Sequence, residues 1–205
     1  VEVAALERIL PLLEEGKPAR AAELSDDEEA VIKHLGLLSR KPIIYAANVS
    51  EEDLATGNKF VDQVRAIAEK EGAKCVIISA QVEAELTELA EEDRAEFLES
   101  LGVKEGGLQS LVKATYDLLG LQTYFTTGPK ETRAWTIHRG DTAPQAAGVI
   151  HTDFERGFIR AETVSFKDLV ATGSMNAAKE KGLVRSEGKE YVVQEGDVML
   201  FRFNV

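Results

Sequence analysis

Two short, almost continuous apolar stretches with one amphipathic segment between them limit the folds open to this 205-residue chain. Residues 42–49 and 74–79 have the length and composition of buried strands, and residues 59–71 have helical spacing that stops at Gly72. Strands that are apolar throughout are typical of parallel sheets covered on both faces. We therefore predict an α/β domain whose ligands bind beyond the carboxyl ends of its strands.

Polar residues follow both predicted strands at that carboxyl end. Asn48 closes the first strand and Ser79 closes the second, so one sheet edge should carry both. The segment after the first strand is similar to a base-recognition loop of a nucleotide site, and the alternative is a polar strand end that forms an ordinary turn. The candidate base contacts are Asn48, Val49, Ser50, Glu51, Ser79 and Ala80.

The phosphate-binding half of such a site is missing from the sequence. A Gly-x-x-x-x-Gly-Lys-Ser/Thr loop would supply the backbone N–H groups and the lysine that hold a nucleoside triphosphate. The nearest match runs from Gly102 to Gly107 and has Leu108 in place of the lysine. We therefore expect the chain to be part of a larger NTPase that carries this loop elsewhere.

Acidic and basic residues are distributed unequally along the chain. Residues 1–120 carry 13 Lys+Arg against 25 Asp+Glu, and residues 121–205 carry 11 against 11, so the net charge of −12 lies in the first part. An acidic surface repels phosphate backbones, so any nucleic-acid surface is expected in the second part. Aromatic residues alternate with basic ones there, although an ordinary neutral surface is the alternative. The candidate RNA-binding residues are Arg133, Arg139, Arg156, Arg160, Lys179 and Arg185.

The flanking segments have different patterns. Near the N-terminus, apolar residues recur at helical spacing until Pro11 should kink or end the helix, and Ser25 to Glu28 has the form of a capping box. After Gly120 short strands alternate with small helices, and the last of them should form a hairpin turning at residues 195–197. We expect a helical segment, an α/β segment and an α+β domain, over residues 1–40, 41–120 and 121–205.

Other chemistry finds little support in the sequence. The three histidines, His34, His138 and His151, lack a second ligand at metal-binding spacing, and the carboxylates of residues 88–99 resemble the solvated face of packed helices. Cys75 is the only cysteine, which excludes an internal disulfide. With no signal peptide and no long apolar span, we expect a cytoplasmic protein without a membrane partner. The sequence therefore indicates no catalytic and no metal-binding residue.

The chain resembles the YchF type of Obg-like ATPases over essentially its whole length. In that family a P-loop domain carries a helical coiled-coil insertion, and a β-grasp-like TGS domain closes the chain. The resemblance implies that residues 1–40 are a coiled-coil remnant, residues 41–120 the last part of the nucleotide-binding domain and residues 121–205 the TGS domain. The most specific matches are residues 121–126, 133–137, 143–148, 151–161 and 203–205.

The resemblance also implies an activity. It implies an ATPase that accepts GTP weakly, uses Mg²⁺ held upstream of Val1, and associates with ribosomes or RNA, and with other proteins through the TGS domain. This chain alone should not hydrolyse ATP. Guanine-specific relatives carry Asn-Lys-x-Asp, whereas Val49 and Glu51 replace the lysine and aspartate here. The Asn48 amide can accept from adenine N6–H and donate to N7. The alternative is a non-catalytic RNA- or protein-binding module.

Overall fold

The computed structural model describes residues 1–204, and the chain divides into two compact units, Val1–Leu118 and Leu119–Val205. No helix among the described residues is long and apolar enough to cross a bilayer. The first unit contains α1 (Glu2–Glu14), α2 (Asp26–Ile32), β1 (Ile44–Asn48), α3 (Lys59–Lys70), β2 (Lys74–Ile78), α4 (Ala80–Glu88), α5 (Glu91–Ser100) and α6 (Gly107–Leu118).

The N-terminal helices pack through small and branched apolar residues. Ala5 and Ile9 of α1 are buried against Ile32 of α2. The capping box predicted at the start of α2 is confirmed, because Ser25 and Glu28 exchange side-chain to backbone hydrogen bonds. Contrary to a break at Pro11, α1 continues to Glu14. Pro11 lacks a single backbone N–H, and its carbonyl still accepts from the Glu15 N–H at 3.0 Å, so the last turn forms after it.

The two predicted apolar strands form a parallel pair in one sheet, as the sequence predicts. Ile44 of β1 lies opposite Lys74 of β2, and the register ends with Asn48 opposite Ile78. Helices α3 and α6 both pack on this pair. Side-chain caps start α3 at Asn58 and α4 at Ser79. The strand ends that carry the candidate base contacts are therefore level with each other.

The second unit is a mixed sheet with helices. Its strands lie in the order β4-β3-β7-β5-β6, with β3 parallel to β7 and the other pairs antiparallel. The elements are β3 (Leu121–Thr127), β4 (Thr132–His138), α7 (Ala143–Ile150), α8 (Thr152–Arg156), β5 (Phe158–Ser165), α9 (Phe166–Thr172), α10 (Met175–Glu180), β6 (Arg185–Glu187) and β7 (Asp197–Phe203).

Each face of this sheet has its own core. Tyr124, Ile137 and Phe201 pack on one face against the alanines of α7, and Tyr124 donates its hydroxyl to the Ala146 carbonyl at 2.9 Å. On the other face, Val164 packs against α9 and α10 residues such as Ala178. The predicted fold class, a partial α/β parallel sheet followed by an α+β domain, is confirmed.

The predicted terminal hairpin is wrong. Val192 instead forms an isolated bridge with Thr142, and the strand begins only at Asp197. The buried Asp197 carboxylate accepts hydrogen bonds from the Gln194 N–H and the Tyr191 hydroxyl, at 2.9 and 2.7 Å. These bonds hold residues 191–196 as a loop, so this segment does not form a strand although its apolar and polar residues alternate.

Candidate nucleotide-base site and basic surface

One hydrogen bond joins the two strand ends at the candidate nucleotide-base site. The Ala80 backbone N–H, the first of α4, donates to Asn48 Oδ1 at 2.9 Å. The N-terminal N–H groups of a helix lack partners within the helix, so the Asn48 side chain satisfies one of them across the sheet edge. Next to this bond, the Val49 N–H donates to the Ile78 carbonyl at 2.8 Å and extends the parallel ladder. The structure therefore brings these predicted residues together.

Ser79 is committed to the start of α4. Its hydroxyl accepts from the Val82 N–H, its carbonyl accepts from the Glu83 N–H, and the residue is almost completely buried. Its role here is that of a helix cap. A base contact by Ser79 or Ala80 stays a prediction, and the Ala80 N–H is already used by Asn48.

Three polar groups at this edge keep hydrogen-bonding capacity within the part of the chain that the structure describes. Asn48 is exposed, and its Nδ2 makes no hydrogen bond to residues 1–204. The Ser50 hydroxyl and the exposed Glu51 carboxylate likewise have no side-chain partner there. The edge thus offers an amide donor, a hydroxyl and a carboxylate acceptor.

Helix α6 approaches this strand pair unusually closely. A Cβ on Gly107, its first residue, would lie 2.8 Å from the Ile78 Cα and 2.9 Å from the Ile78 Cβ. Ile78 is opposite Asn48 in the register. Only glycine allows this contact, so Gly107 fixes the position of the strand end that carries the site.

No metal site is visible among residues 1–204, since no three His, Cys, Asp or Glu side chains converge there. His151 has a structural role, because its Nδ1 accepts from the Asp153 N–H at 3.1 Å and caps α8.

The predicted RNA-binding residues fall into separate groups. Arg133 lies on the edge strand β4 with its guanidinium 4.2 Å from the Trp135 ring centre, and Arg139 follows that strand. Arg156 ends α8. Strands β3 and β7 separate β4 from β5, which carries Arg160. Phe158, an aromatic residue between Arg156 and Arg160, lies in the core.

A compact basic cluster surrounds one carboxylate on β5. Glu162 is almost fully buried, and it contacts Lys179 Nζ at 2.6 Å, Arg202 Nη2 at 3.1 Å and Arg160 Nη2 at 3.7 Å. The hydrogen bond from Lys179, supported by Arg202, holds the pKa of Glu162 below its usual range although burial opposes this. We call Arg160, Glu162, Lys179 and Arg202 the Glu162 cluster.

Arg185 lies beside this cluster but is occupied within the protein. Its Nε donates to Glu187 and its Nη2 to the Tyr191 hydroxyl, each at 2.8 Å, and the buried Asp197 lies 3.5 Å away. Burial, together with the bond to Asp197, raises the pKa of Tyr191. The guanidinium therefore joins β6 to the loop before β7, which leaves it few free donors.

Sequence reasoning missed Arg202 and Glu162. Both stand among core residues in strands, Glu162 next to Ala161 and Thr163, and Arg202 next to Phe201. The available signal was a charged residue beside apolar neighbours within a predicted strand. They lie close together because β5 and β7 pair Glu162 with Leu200 and Arg160 with Arg202. Arg202 and Glu162 are 40 residues apart in the sequence.

A parallel strand pair with a hydrogen bond across its carboxyl edge, followed by a mixed sheet with helices, defines an α/β protein with an appended α+β domain. Residues 121–204 match the family model described as YchF-GTPase_C, protein of unknown function (DUF933). The chain is 52% identical over 202 residues to the ribosome-binding ATPase YchF of Bacillus subtilis (strain 168), covering 98% of this chain and 55% of that protein. Residues 121–204 therefore form a YchF C-terminal domain, and the chain as a whole is homologous to part of YchF.

Less similar relatives also match the chain over nearly its whole length. The chain is 40% identical over 198 residues to Obg-like ATPase 1 of Rattus norvegicus, covering 94% of this chain and 50% of that protein. The solved structure of the Schizosaccharomyces pombe YchF GTPase superposes with a TM-score of 0.81 at 36% identity, covering 97% of this chain and 53% of that one. The chain thus spans about half the length of these relatives.

Proposed function

We propose that this chain supplies the base-recognition edge and the C-terminal domain of a YchF-type P-loop ATPase that binds ATP, accepts GTP more weakly and associates with ribosomes in the cytoplasm. The bond between Asn48 Oδ1 and the Ala80 N–H carries the proposal, because it fixes the side-chain amide at a parallel-sheet edge where ligands bind. The family name of the relatives as ribosome-binding ATPases supports the activity and the partner.

The Asn48 amide has one fixed and one available end. With Oδ1 accepting from Ala80, the Nδ2 group is oriented as a donor, and purine N7 is an acceptor that it matches. N7 is present in both adenine and guanine, so this contact supports purine binding. The preference for ATP is argued from position 51, where Glu51 replaces the aspartate that pairs with guanine N1–H and its exocyclic amine.

The rest of the site belongs, in this proposal, to residues outside this chain. ATP needs phosphate-binding backbone groups and Mg²⁺ ligands, and residues 1–204 present neither a Gly-rich lysine loop nor a converging carboxylate set. Ala46, in the middle of β1, is exposed, whereas central strands of such sheets are covered on both faces. This exposure supports further sheet and helix packing from a longer protein.

The test separates the two ends of the Asn48 amide in the full-length protein. Asn48→Asp keeps an oxygen for the Ala80 N–H but removes the donor, and Asn48→Ala removes both. Both variants should weaken ATP binding by about 1–3 kcal/mol, measured by competition with a fluorescent nucleotide. The matched control is Asn176→Ala, at an exposed position of α10, which should leave ATP affinity unchanged.

Two results would contradict the proposal. Unchanged ATP affinity in Asn48→Asp would show that Nδ2 does not contact the base. Equal affinities of the wild-type protein for ATP and GTP would remove the stated preference. A melting temperature measured beside each affinity separates lost binding from lost folding.

A second candidate function is a non-catalytic RNA- or protein-binding module acting through residues 121–204. The Glu162 cluster favours it, because several half-exposed cations converge there without a catalytic group beside them. Ribosome co-sedimentation that does not depend on nucleotide, in a protein with no measurable hydrolysis, would support this function over the first.

A further inference from the structure

The Glu162 cluster holds like charges in an arrangement that a sheet normally avoids. Arg160 and Arg202 lie directly opposite each other on the antiparallel strands β5 and β7. Like charges at opposed positions destabilise a strand pair. Glu162, on the same face, contacts both guanidinium groups and thereby offsets part of their repulsion. Its buried carboxylate keeps the cations together.

The cluster retains a net positive charge and many unused donors. Arg160, Lys179 and Arg202 carry three positive charges against one carboxylate, and each side chain is about half exposed. Arg202 directs Nε and Nη2 at Glu162, and Arg160 directs Nη1 at the Ser186 hydroxyl at 3.4 Å. A guanidinium has five N–H groups and an ammonium three, so most of these donors are not used by the contacts to Glu162 and Ser186.

We infer that Arg160, Lys179 and Arg202 form a phosphate-binding site that takes the phosphodiester backbone of RNA. Guanidinium groups pair with phosphate through two parallel N–H···O bonds, and held side chains lose less freedom on binding than free ones. The inference deepens the proposed ribosome association and rests on it for the choice of RNA.

RNA fits this surface better than a protein partner does. The depression beside the cluster is shallow and is lined by Val184, Arg185 and Ser186 besides the cluster residues. It offers no aromatic residue and no deep pocket, which are the usual anchors of protein interfaces. Binding dominated by backbone phosphates needs only placed cations. We assign the specificity of this site to charge, so it should be insensitive to base sequence.

The test measures how salt affects binding of the 205-residue chain to a labelled oligouridine by fluorescence anisotropy. Each of Arg160→Gln, Lys179→Gln and Arg202→Gln should make the slope of log K against log salt shallower by about 0.7, and the triple variant by about 2. Lys189→Gln, which removes an exposed charge outside the cluster, is the matched control and should keep the wild-type slope.

A conservative variant separates charge from geometry. Arg160→Lys keeps the charge and loses the planar fork, so the slope should stay while affinity falls several-fold. Fluorescence of Trp135, the only tryptophan and a residue of β4, checks that each variant keeps the fold of this unit.

Separate outcomes decide the site and the ribosome association. An unchanged slope of log K against log salt for oligouridine in the triple variant overturns the phosphate site. The site is also overturned if the triple variant loses binding to polyglutamate but keeps its binding to oligouridine, because that result indicates an acidic protein partner. Equal co-sedimentation of the wild-type and triple-variant chains with ribosomes also overturns it, while ribosome association stands. If the wild-type chain fails to bind ribosomes but the oligouridine slopes change as expected, the site is supported and the proposed ribosome partner of this chain fails.

Discussion

Adding one methyl group at Gly107 should disturb the strand end that carries the candidate nucleotide-base site, whereas the same change at Gly106 should not. A Cβ at position 107 would lie 2.8–2.9 Å from the Cα, Cβ and Cγ2 atoms of Ile78. At position 106 the nearest atom, at 3.0 Å, is Oε1 of Glu83, the end of a flexible side chain. The two adjacent glycines therefore form a matched pair for Gly→Ala substitution.

The expected magnitude follows from these distances. Carbon atoms attract best at about 3.5–4.0 Å, so the new Cβ of Gly107→Ala overlaps Ile78 by roughly 0.6–1.2 Å. The contacted atoms are the backbone Cα and the branched Cβ of Ile78 with its methyl group, which cannot rotate away. Overpacking should therefore lower the free energy of unfolding by about 3 kcal/mol. Better helix propensity returns at most about 1 kcal/mol, which leaves a net loss of about 2 kcal/mol. Gly106→Ala should stay within about 0.5 kcal/mol of wild type.

Urea unfolding of the 205-residue chain, followed by circular dichroism, measures the difference. With an m-value of about 2 kcal/mol/M, Gly107→Ala should lower the midpoint by about 1 M relative to Gly106→Ala. Amide exchange gives the location of the change. The Val49 N–H, which bonds to the Ile78 carbonyl at 2.8 Å, should lose protection in Gly107→Ala.

Two results would refute this reasoning. Equal midpoints for the two variants would mean that α6 moves away from Ile78 at little cost. A lower midpoint with unchanged Val49 protection would place the disturbance elsewhere in the unit.

Two further predictions concern stability. The pKa of Glu162 is lowered in the folded protein, chiefly by the hydrogen bond from Lys179. The ionised carboxylate therefore stabilises the fold fully above its pKa in the unfolded chain, about 4.3, and this stabilisation is lost as the pH falls through its pKa in the folded protein. The urea-midpoint difference between wild type and Glu162→Gln should therefore shrink from about pH 6 to about pH 3, and a constant difference would contradict the assignment. Ser25→Ala should cost about 1 kcal/mol by removing the α2 cap, with unchanged urea midpoints as the contrary result.

Local patterns predicted most of the first unit. Continuous apolar runs predict β1 and β2, because a strand buried on both faces needs no polar alternation. The capping box at Ser25 has its signal within four residues, and the structure confirms it. Such features depend on neighbours in sequence, where side-chain spacing and backbone geometry are directly related.

Features that depend on distant pairing were not predictable. The segment from Tyr191 alternates like a strand, yet the Asp197 carboxylate holds it as a loop through bonds to Gln194 and Tyr191. Likewise, nothing in the neighbourhood of Arg202 indicates that it meets Glu162, because that contact requires the register of β5 and β7. A side chain that competes with the sheet for backbone groups outweighs a weak alternating pattern.

Position 48 combines two requirements that few other residues meet. Its side chain must carry an oxygen that accepts from the Ala80 N–H at the start of α4, as Asn48 Oδ1 does at 2.9 Å. Its second polar atom must be a donor if it contacts purine N7, which excludes aspartate. The Asn48→Asp variant should therefore keep the hydrogen bond from the Ala80 N–H and lose the contact with the base. If that hydrogen bond were lost as well, both strand ends should lose protection from amide exchange. Amide exchange at Ala80 in this variant distinguishes these cases: retained protection with weakened ATP binding separates the structural oxygen from the base-binding nitrogen.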